Sequence, residues 1–465
     1  MKKTKIICSI GPASNNADVM EQMVLAGMNV ARINFSHATM EERQMAQDSA
    51  REVRKRTGKN VAILWDTKGP EFRSGVLEGE SINLVEGKTI RIVKDNVVGN
   101  EERITVNHPN VLDDLVVGDV VLLENAKMKI EVISKETDGV TCKIVNGGKL
   151  GNRKSLSVPG KKLDIPYISE TDREDIIYAC KNGGEFLAIS FVSCPEDVLE
   201  VKEILKEQGR EDLQIICKIE SELGIKNLEK ILEVSDGAMV ARGDLGTEIP
   251  SEMLPIVQKK MIKTCRRMNK ICIVATEMLE TMMENTRPKR AETSDIANAV
   301  FDGTDAVMLS GETTVGKHPI ETVRAMANIC KTAEKFAEFN YEPTTNNITT
   351  AIARSVIDSV DLLNAKLICA ATMTGQTAKV ISNLKPKAPI LALVPDDKTG
   401  RKLALNWGVY PTSVGVMDST DDIIRVAKEK AIEKYNLEKD DIIVITGSFP
   451  KHQAKHTNLM KIEQI

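Results

Sequence analysis

Short, nearly unbroken apolar runs rich in β-branched residues alternate with stretches of helical period along most of the chain. Eight such runs occupy residues 5–10, 29–34, 61–66, 186–191, 214–220, 237–241, 271–276 and 306–309. Continuous apolarity over five or six residues marks a parallel strand covered on both faces. Between the runs, residues 18–26 place Val19, Met20, Met23 and Val24 at helical spacing, and Gly27 supplies a stop. Eight strand–helix alternations predict an α/β fold of the (β/α)8 TIM-barrel type rather than an open sheet.

Two segments break that rhythm. Residues 69–165 turn to short alternating runs (81–85, 89–93, 116–123, 129–133 and 140–145) punctuated by Gly87, Gly99, Gly118, Asp138-Gly139 and Gly147-Gly148. This pattern predicts a small β-barrel domain inserted after the third barrel strand. An insertion there emerges at the catalytic end of such a barrel, where it would act as a lid. After a polar linker at 342–348, helix and strand alternate again: 351–363 helical, 367–371 and 388–394 strands, 421–435 helical, and 441–445 a strand. An open α/β carboxyl-terminal domain with a regulatory or oligomerisation role is expected. The resulting division is 1–68 with 166–342 for the barrel, 69–165 for the lid and 343–465 for the terminal domain, in line with about three domains for 465 residues.

Composition narrows the setting. Apolar residues make up 42 % of the chain, enough for large cores, and the formal net charge of −4 steers it toward neither nucleic acid nor an acidic membrane surface. No apolar run approaches the roughly 18 residues of a membrane helix, and the run after the two amino-terminal lysines is too short for a secretory signal. Nine scattered cysteines without a CxxC pair fit a reducing compartment, so a cytoplasmic protein is expected.

In such barrels function gathers where the strands end. Strand two closes with Arg32-Ile-Asn34-Phe-Ser36-His37, strand three with Asp66-Thr67-Lys68, strand five with Lys218-Ile-Glu220 and strand six with Arg242-Gly243-Asp244; strand seven ends at Thr276 and strand eight at Ser310-Gly311-Glu312. Residues two apart on a strand share a face, so Arg32 with Asn34, Lys218 with Glu220, and Arg242 with Asp244 are expected to face a common mouth. Glu220 and Asp244 are hard oxygen ligands of the kind Mg²⁺ takes. Lys218 and Arg32 beside them would bind an anion. Asn34, Ser36, Asp66 and Thr67 form an oxygen-rich set with one formal charge, suited to a monovalent cation. These residues point to a metal-assisted enzyme acting on a small phosphorylated or carboxylated substrate. They leave phosphoryl transfer, keto-acid lyase or aldolase chemistry, and a non-catalytic metabolite-binding scaffold all open.

Several longer segments carry a resemblance. Residues 32–37 (RINFSH), 66–73 (DTKGPEFR), 215–220 (IICKIE), 239–246 (MVARGDLG) and 302–313 (DGTDAVMLSGET) resemble, in order and over essentially the whole chain, the signature segments of the pyruvate kinase family. That resemblance implies transfer of the phosphoryl group of phosphoenolpyruvate to ADP, giving pyruvate and ATP. It implies that Glu220 and Asp244 hold Mg²⁺ (or Mn²⁺), and that Gly243 and Asp244 meet the substrate carboxylate. Arg32 would contact the phosphate, and Lys218 would stabilise the transferring group. Asn34, Ser36, Asp66 and Thr67 would take K⁺, while Asn34, Phe35, Ser36, His37, Arg73 and Lys154 would contact the nucleotide. Thr276, with Ser310 as helper, would relay a proton to the enol carbon. A glutamate at Glu71 matches the family's K⁺-dependent members, and the family's usual homotetramer is implied with it.

Ala38, Phe72, Leu223, Glu277 and Thr314 depart from the usual pattern. None of these changes removes a ligand, and Glu277 beside Thr276 is the one expected to alter pH dependence. The run Gly311 to Lys317 nearly spells a phosphate-binding P-loop, but His318 and Pro319 stand where a hydroxyl and a helix are required. In the terminal domain Thr372, Thr374, Gly375, Gln376 and Thr377 form a strand-to-helix loop suited to phosphate. It resembles the family's sugar-phosphate effector loop, so a phosphorylated-metabolite effector is expected. The facing stretch 449–456 is basic and lacks the usual glycines. No phosphohistidine-type domain, which some relatives append, is expected after Ile465.

Overall fold

The structure, a computed structural model, describes residues 1–339, 347–448 and 456–465. The predicted linker at 342–348 and basic stretch at 449–456 lie largely outside the described residues.

Eight parallel strands, Lys5–Ser9, Val30–Asn34, Ala62–Asp66, Phe186–Ile189, Gln214–Ile219, Gly237–Ala241, Ile271–Ala275 and Ala306–Leu309, close into a barrel in sequence order. The last pairs with the first, Lys5 opposite Ala306. Helices between them start and stop on local chemistry. The Asn16 side chain caps the first helix, Ala17–Ala26, by accepting from the Val19 amide, and Gly27 ends it at φ 135°. Thr39 and Glu42 form a capping box on Met40–Thr57.

Alternation along each strand divides the core in two. Ile6, Cys8, Leu187, Ile189 and Cys217 pack outward against the helices. Ile7, Val30, Leu64, Phe186, Ala188, Ile216, Met239, Ile273 and Met308 fill the lumen, and Ala404 with Leu405 of the terminal domain close it from below. Side chains of even parity on strands two to five therefore continue upward from the lumen: Arg32, Asn34, Asp66, Ser190, Lys218 and Glu220. The packing beneath them decides where they point.

The inserted segment folds as a six-stranded and a two-stranded sheet around one shared core that includes Ile82, Ile92, Val121, Ile130 and Leu150. The run at 116–123 is a strand only over Val120–Leu123, because Gly118 turns the chain. Three strands, Arg103–Thr105, Gly148–Gly151 and Leu156–Ser157, are too short to show a period in sequence. The terminal domain is a five-stranded sheet in which Leu367–Ala371, Ile390–Val394, Val409–Ser413 and Ile442–Gly447 run parallel and Leu459–Gln464 pairs antiparallel on the edge. All nine cysteines are free and buried. Among the described residues no helix is long and apolar enough to cross a membrane.

Candidate active site

The carboxyl ends of the strands and the lid enclose a cavity of about 450 Å³. At its floor Lys218 Nζ donates to Ser190 Oγ at 2.6 Å and lies 3.1 Å from Glu220 Oε1 and 3.3 Å from Asp66 Oδ1. Arg32 Nε donates to Asp66 Oδ2 at 2.6 Å, and its Nη1 donates to Ser9 Oγ at 2.6 Å. Two cations and two carboxylates thus interlock, nearly out of water.

Their titration follows from that geometry. Burial alone would raise Asp66, but Arg32 and Lys218 outweigh it and hold its carboxyl below the usual range. Burial opposes the charge on Lys218 too, and Asp66 and Glu220 overcome it, so the ammonium is raised above its ordinary value. Glu220 goes the other way. Burial, with the charge of Asp244 adding to it, pushes Glu220 up to about 7, although Lys218 and the Phe191 amide at 2.7 Å pull it down. Asp244 is exposed and lines the same cavity; among the described residues it makes no ion pair. Two carboxylates that repel across a cavity suit a divalent cation, and Mg²⁺ needs only one or two protein carboxylates beside water and substrate oxygens. Among the described residues no group of three or more histidine, cysteine, aspartate or glutamate side chains is placed to hold a metal ion, and this pair is the candidate.

Strand seven breaks immediately after Ala275. Thr276 and Glu277 both have positive φ, 69° and 53°, a conformation that costs a β-branched residue about 1–3 kcal/mol. Arg242 sustains it, donating to the Thr276 carbonyl at 2.6 Å and the Glu277 carbonyl at 3.3 Å while paired with Asp295 at 2.6 Å. The Thr276 hydroxyl turns into the cavity, donates to the Ala275 carbonyl at 2.6 Å and accepts from the Gly243 amide at 2.8 Å.

Most expected residues converge: Arg32, Asn34, Ser36, His37, Arg73, Lys218, Glu220, Asp244, Thr276 and Ser310 line the cavity. Others do not, for definite reasons. Arg242 shares parity with the outward Val240, and its side chain is buried on the far side of the Thr276 turn rather than in the mouth with Asp244. Asp244 reaches the cavity only because a helix, Arg242–Glu248, replaces the strand. Phe35 stacks on Trp65 at 5.2 Å with Arg43 over its ring, and its amide and carbonyl are taken by Asp66 and Arg43. Lys154 points along the lid toward Glu124, 3.8 Å away. Asp66 is fully buried beneath the cavity floor, and Thr67 lies behind the wall. The Thr67 carbonyl accepts from Ser190 Oγ at 2.7 Å, and its hydroxyl accepts from the Ser190 amide at 3.3 Å. Glu71 does line the cavity, clamped by Lys68 at 2.6 Å and Arg73 at 2.5 Å, whereas Glu277 is exposed outside it. Lys317 pairs with the exposed Glu284 and does not line the cavity.

Sequence reasoning missed Ser190, the hub between Lys218, Asp66 and Thr67. Its signal was present: strand four, too, ends in a polar residue in step with its inward Phe186 and Ala188. Lys161 and Lys162 of the lid also line the cavity. In the terminal domain Thr374 and Gln376 are exposed, whereas Thr372 caps the Gly375 amide and Thr377 is buried against Thr457.

Comparison with known proteins adds to this geometry. The family model described as the pyruvate kinase barrel domain matches residues 1–323, and that of the pyruvate kinase alpha/beta domain matches 350–463. The pyruvate kinase of Geobacillus stearothermophilus is 43 % identical over 472 residues, covering 100 % of this chain and 80 % of that protein. That of Bacillus licheniformis is 43 % identical over 470 residues, covering 99 % and 80 %. A crystal structure of a pyruvate kinase from Cryptosporidium parvum superimposes with a TM-score of 0.94 at 36 % identity, covering 100 % of this chain and 96 % of that one.

Proposed function

The chain belongs to the pyruvate kinase family, and on that premise we propose which of its groups carry the reaction. The activity is phosphoryl transfer from phosphoenolpyruvate to ADP, yielding pyruvate and ATP. The single observation that carries the assignment is the raised, fully charged Lys218 at the cavity floor, 3.1 Å from Glu220.

Lys218 and Arg32 bind the phosphoryl oxygens. Because Asp66 fixes both, neither reorganises as charge moves from the leaving enolate oxygen to the transferring group. Glu220 and Asp244 would hold Mg²⁺ or Mn²⁺, which would supply Lewis-acid positive charge to the reaction. The substrate carboxylate sits at the start of the Arg242–Glu248 helix, beside Gly243 and Asp244. Once the phosphoryl group has left, the enol carbon takes a proton. A threonine hydroxyl is a poor acid, so Thr276 relays that proton from water, with Ser310 beside it. Asn34, Ser36, His37 and Arg73 receive the nucleotide; Lys154 joins them only after a lid movement. K⁺ would be held by Asn34, Ser36, Asp66 and Thr67. Asp66 and Asn34 are register partners on adjacent strands, and Asp66 Oδ1 and the Thr67 carbonyl both meet Ser190 Oγ, which supports an oxygen-only site of one formal charge. The reading extends to a cytoplasmic homotetramer answering to a phosphorylated metabolite at Thr374 and Gln376.

A coupled assay for pyruvate, run with and without ADP, Mg²⁺ and K⁺, tests this reading. Omission of any one should abolish or strongly reduce turnover. Full turnover in buffer free of K⁺ and Na⁺ would remove the monovalent site. Saturation curves unmoved by sugar phosphates or AMP would remove the effector.

A further inference from the structure

At the opposite end of the barrel, a second cavity of about 240 Å³ lies between the two domains. Asp236, Lys270 and Asp305 line it from the barrel, and Gln376, Lys379 and Asn406 line it from the terminal domain. The three barrel residues immediately precede strands six, seven and eight, so the cavity sits beneath the strands whose other ends reach the active site. At roughly 30 Å³ per water it holds about eight waters, below the roughly 300 Å³ at which pockets for drug-sized ligands begin. It is therefore sized for a small metabolite rather than a nucleotide.

Its charge is unbalanced. Asp305 is neutralised by Lys385. Asp236 carries one negative charge and accepts the Ile215 amide at 2.9 Å. Lys270 donates to the Ser235 carbonyl at 2.6 Å, and Lys379 donates to the Gln214 side-chain oxygen. Among the described residues neither amine makes an ion pair, and each makes a single hydrogen bond. An ammonium has three N–H donors, so two on each lysine remain for a ligand. Burial holds both lysines below their ordinary value although the charge of Asp236 pulls each back up, and the charges of Lys402 and Lys270 lower Lys379 further. The cavity thus sets two half-buried ammoniums against one carboxylate, Asp236, and an oxyanion bound between the lysines balances the positive charge that remains. Asn406, itself buried, adds an amide oxygen with no partner, an acceptor for a hydroxyl of the ligand rather than for its anionic oxygens.

We propose that this cavity binds a phosphate group, free or as the monoester of a small metabolite, bridging Lys270 of the barrel to Lys379 of the terminal domain. The site is separate from the 372–377 loop, with which it shares only Gln376. By mass action an occupied site stabilises the docked arrangement of the two domains.

The test is calorimetric titration of the full chain with inorganic phosphate and, separately, with glycerol phosphate. Lys270→Met and Lys379→Met, on different domains, are each expected to weaken one phosphate site about tenfold while leaving kcat and the KM for phosphoenolpyruvate unchanged. If one variant fails to fold, the other still tests the site. Arg32→Met, which removes active-site phosphate, and Thr374→Ala, in the neighbouring loop, are expected to retain it. Tighter binding of the ester assigns a metabolite and tighter binding of inorganic phosphate assigns the free ion; either supports the site. Titrations of both lysine variants that match wild type would overturn it, as would loss of all phosphate binding in Arg32→Met.

Discussion

The two ends of the barrel bury the same residue types and put them to different uses. At the carboxyl end Lys218 meets two carboxylates and a serine on the floor of an open cavity. At the amino end Lys385 of the terminal domain meets one carboxylate, Asp305, with side-chain exposures of 0 % and 6 %, beside the Thr304 carbonyl at 3.5 Å and the Trp407 ring. Burial opposes the charge on both lysines. Asp66 and Glu220 together overcome it at Lys218, which ends above its ordinary value, whereas Asp305 does not at Lys385, which ends below. A lysine that must stay charged beside an arriving anion needs more than one carboxylate within reach. One that only docks a domain needs a single enclosed partner.

Substitutions that separate the two ends sharpen this contrast. Lys218→Met should lower kcat by about 10³-fold with the fold intact by circular dichroism, because Arg32 still neutralises Asp66 and Glu220 can take up a proton. A near-normal rate would erase the distinction. Lys385→Met should do the reverse. It strands the enclosed Asp305 and should destabilise the chain by about 3–5 kcal/mol in urea unfolding, while the protein that remains folded keeps its kcat. A loss below about 1 kcal/mol would show that the seam is not sealed.

Protons offer a third comparison. Lys5 lies in the same seam, 2.5 Å from the Val409 carbonyl and over the Tyr410 ring, and burial, with Lys2 adding to it, lowers it to about 7. The unfolded chain, with an ordinary lysine near pH ~10.4, binds more protons across the window between, so folding stability should rise as pH climbs from about 7 toward about 10. Lys5→Met should flatten that rise by about 2 kcal/mol, read from unfolding curves; an unchanged slope would place Lys5 in water. The smallest effect is expected at Glu277→Gln. The side chain points out of the cavity, so kcat should change less than about twofold and the pH profile should not move, contrary to what its neighbour Thr276 suggests in sequence.

Much of this was legible in the chain. Each of the eight barrel strands was read to within two residues, because a strand buried on both faces announces itself by unbroken apolarity. The polar strand ends pointed to Arg32, Lys218, Glu220 and Thr276 for a related reason: a polar side chain where a buried strand ends needs a use. Parity would also have turned Arg242 away, since it follows Val240, and would have added Ser190 in step with Ala188. The short lid strands Arg103–Thr105 and Leu156–Ser157 gave no signal, being shorter than two periods.

The sequence by itself determined the order of elements, the face each strand side chain takes and the chemical types at each strand end, because these depend on neighbours within a few residues. Only the tertiary structure decided that Asp66 lies between Arg32 and Lys218, that Thr276 is held at positive φ by Arg242, and that Lys154 faces Glu124 rather than the cavity. Those outcomes depend on which distant charges closure of the barrel brings within a few ångströms. Electrostatic balance in a dry interior is set by that proximity, and one-dimensional spacing does not encode it.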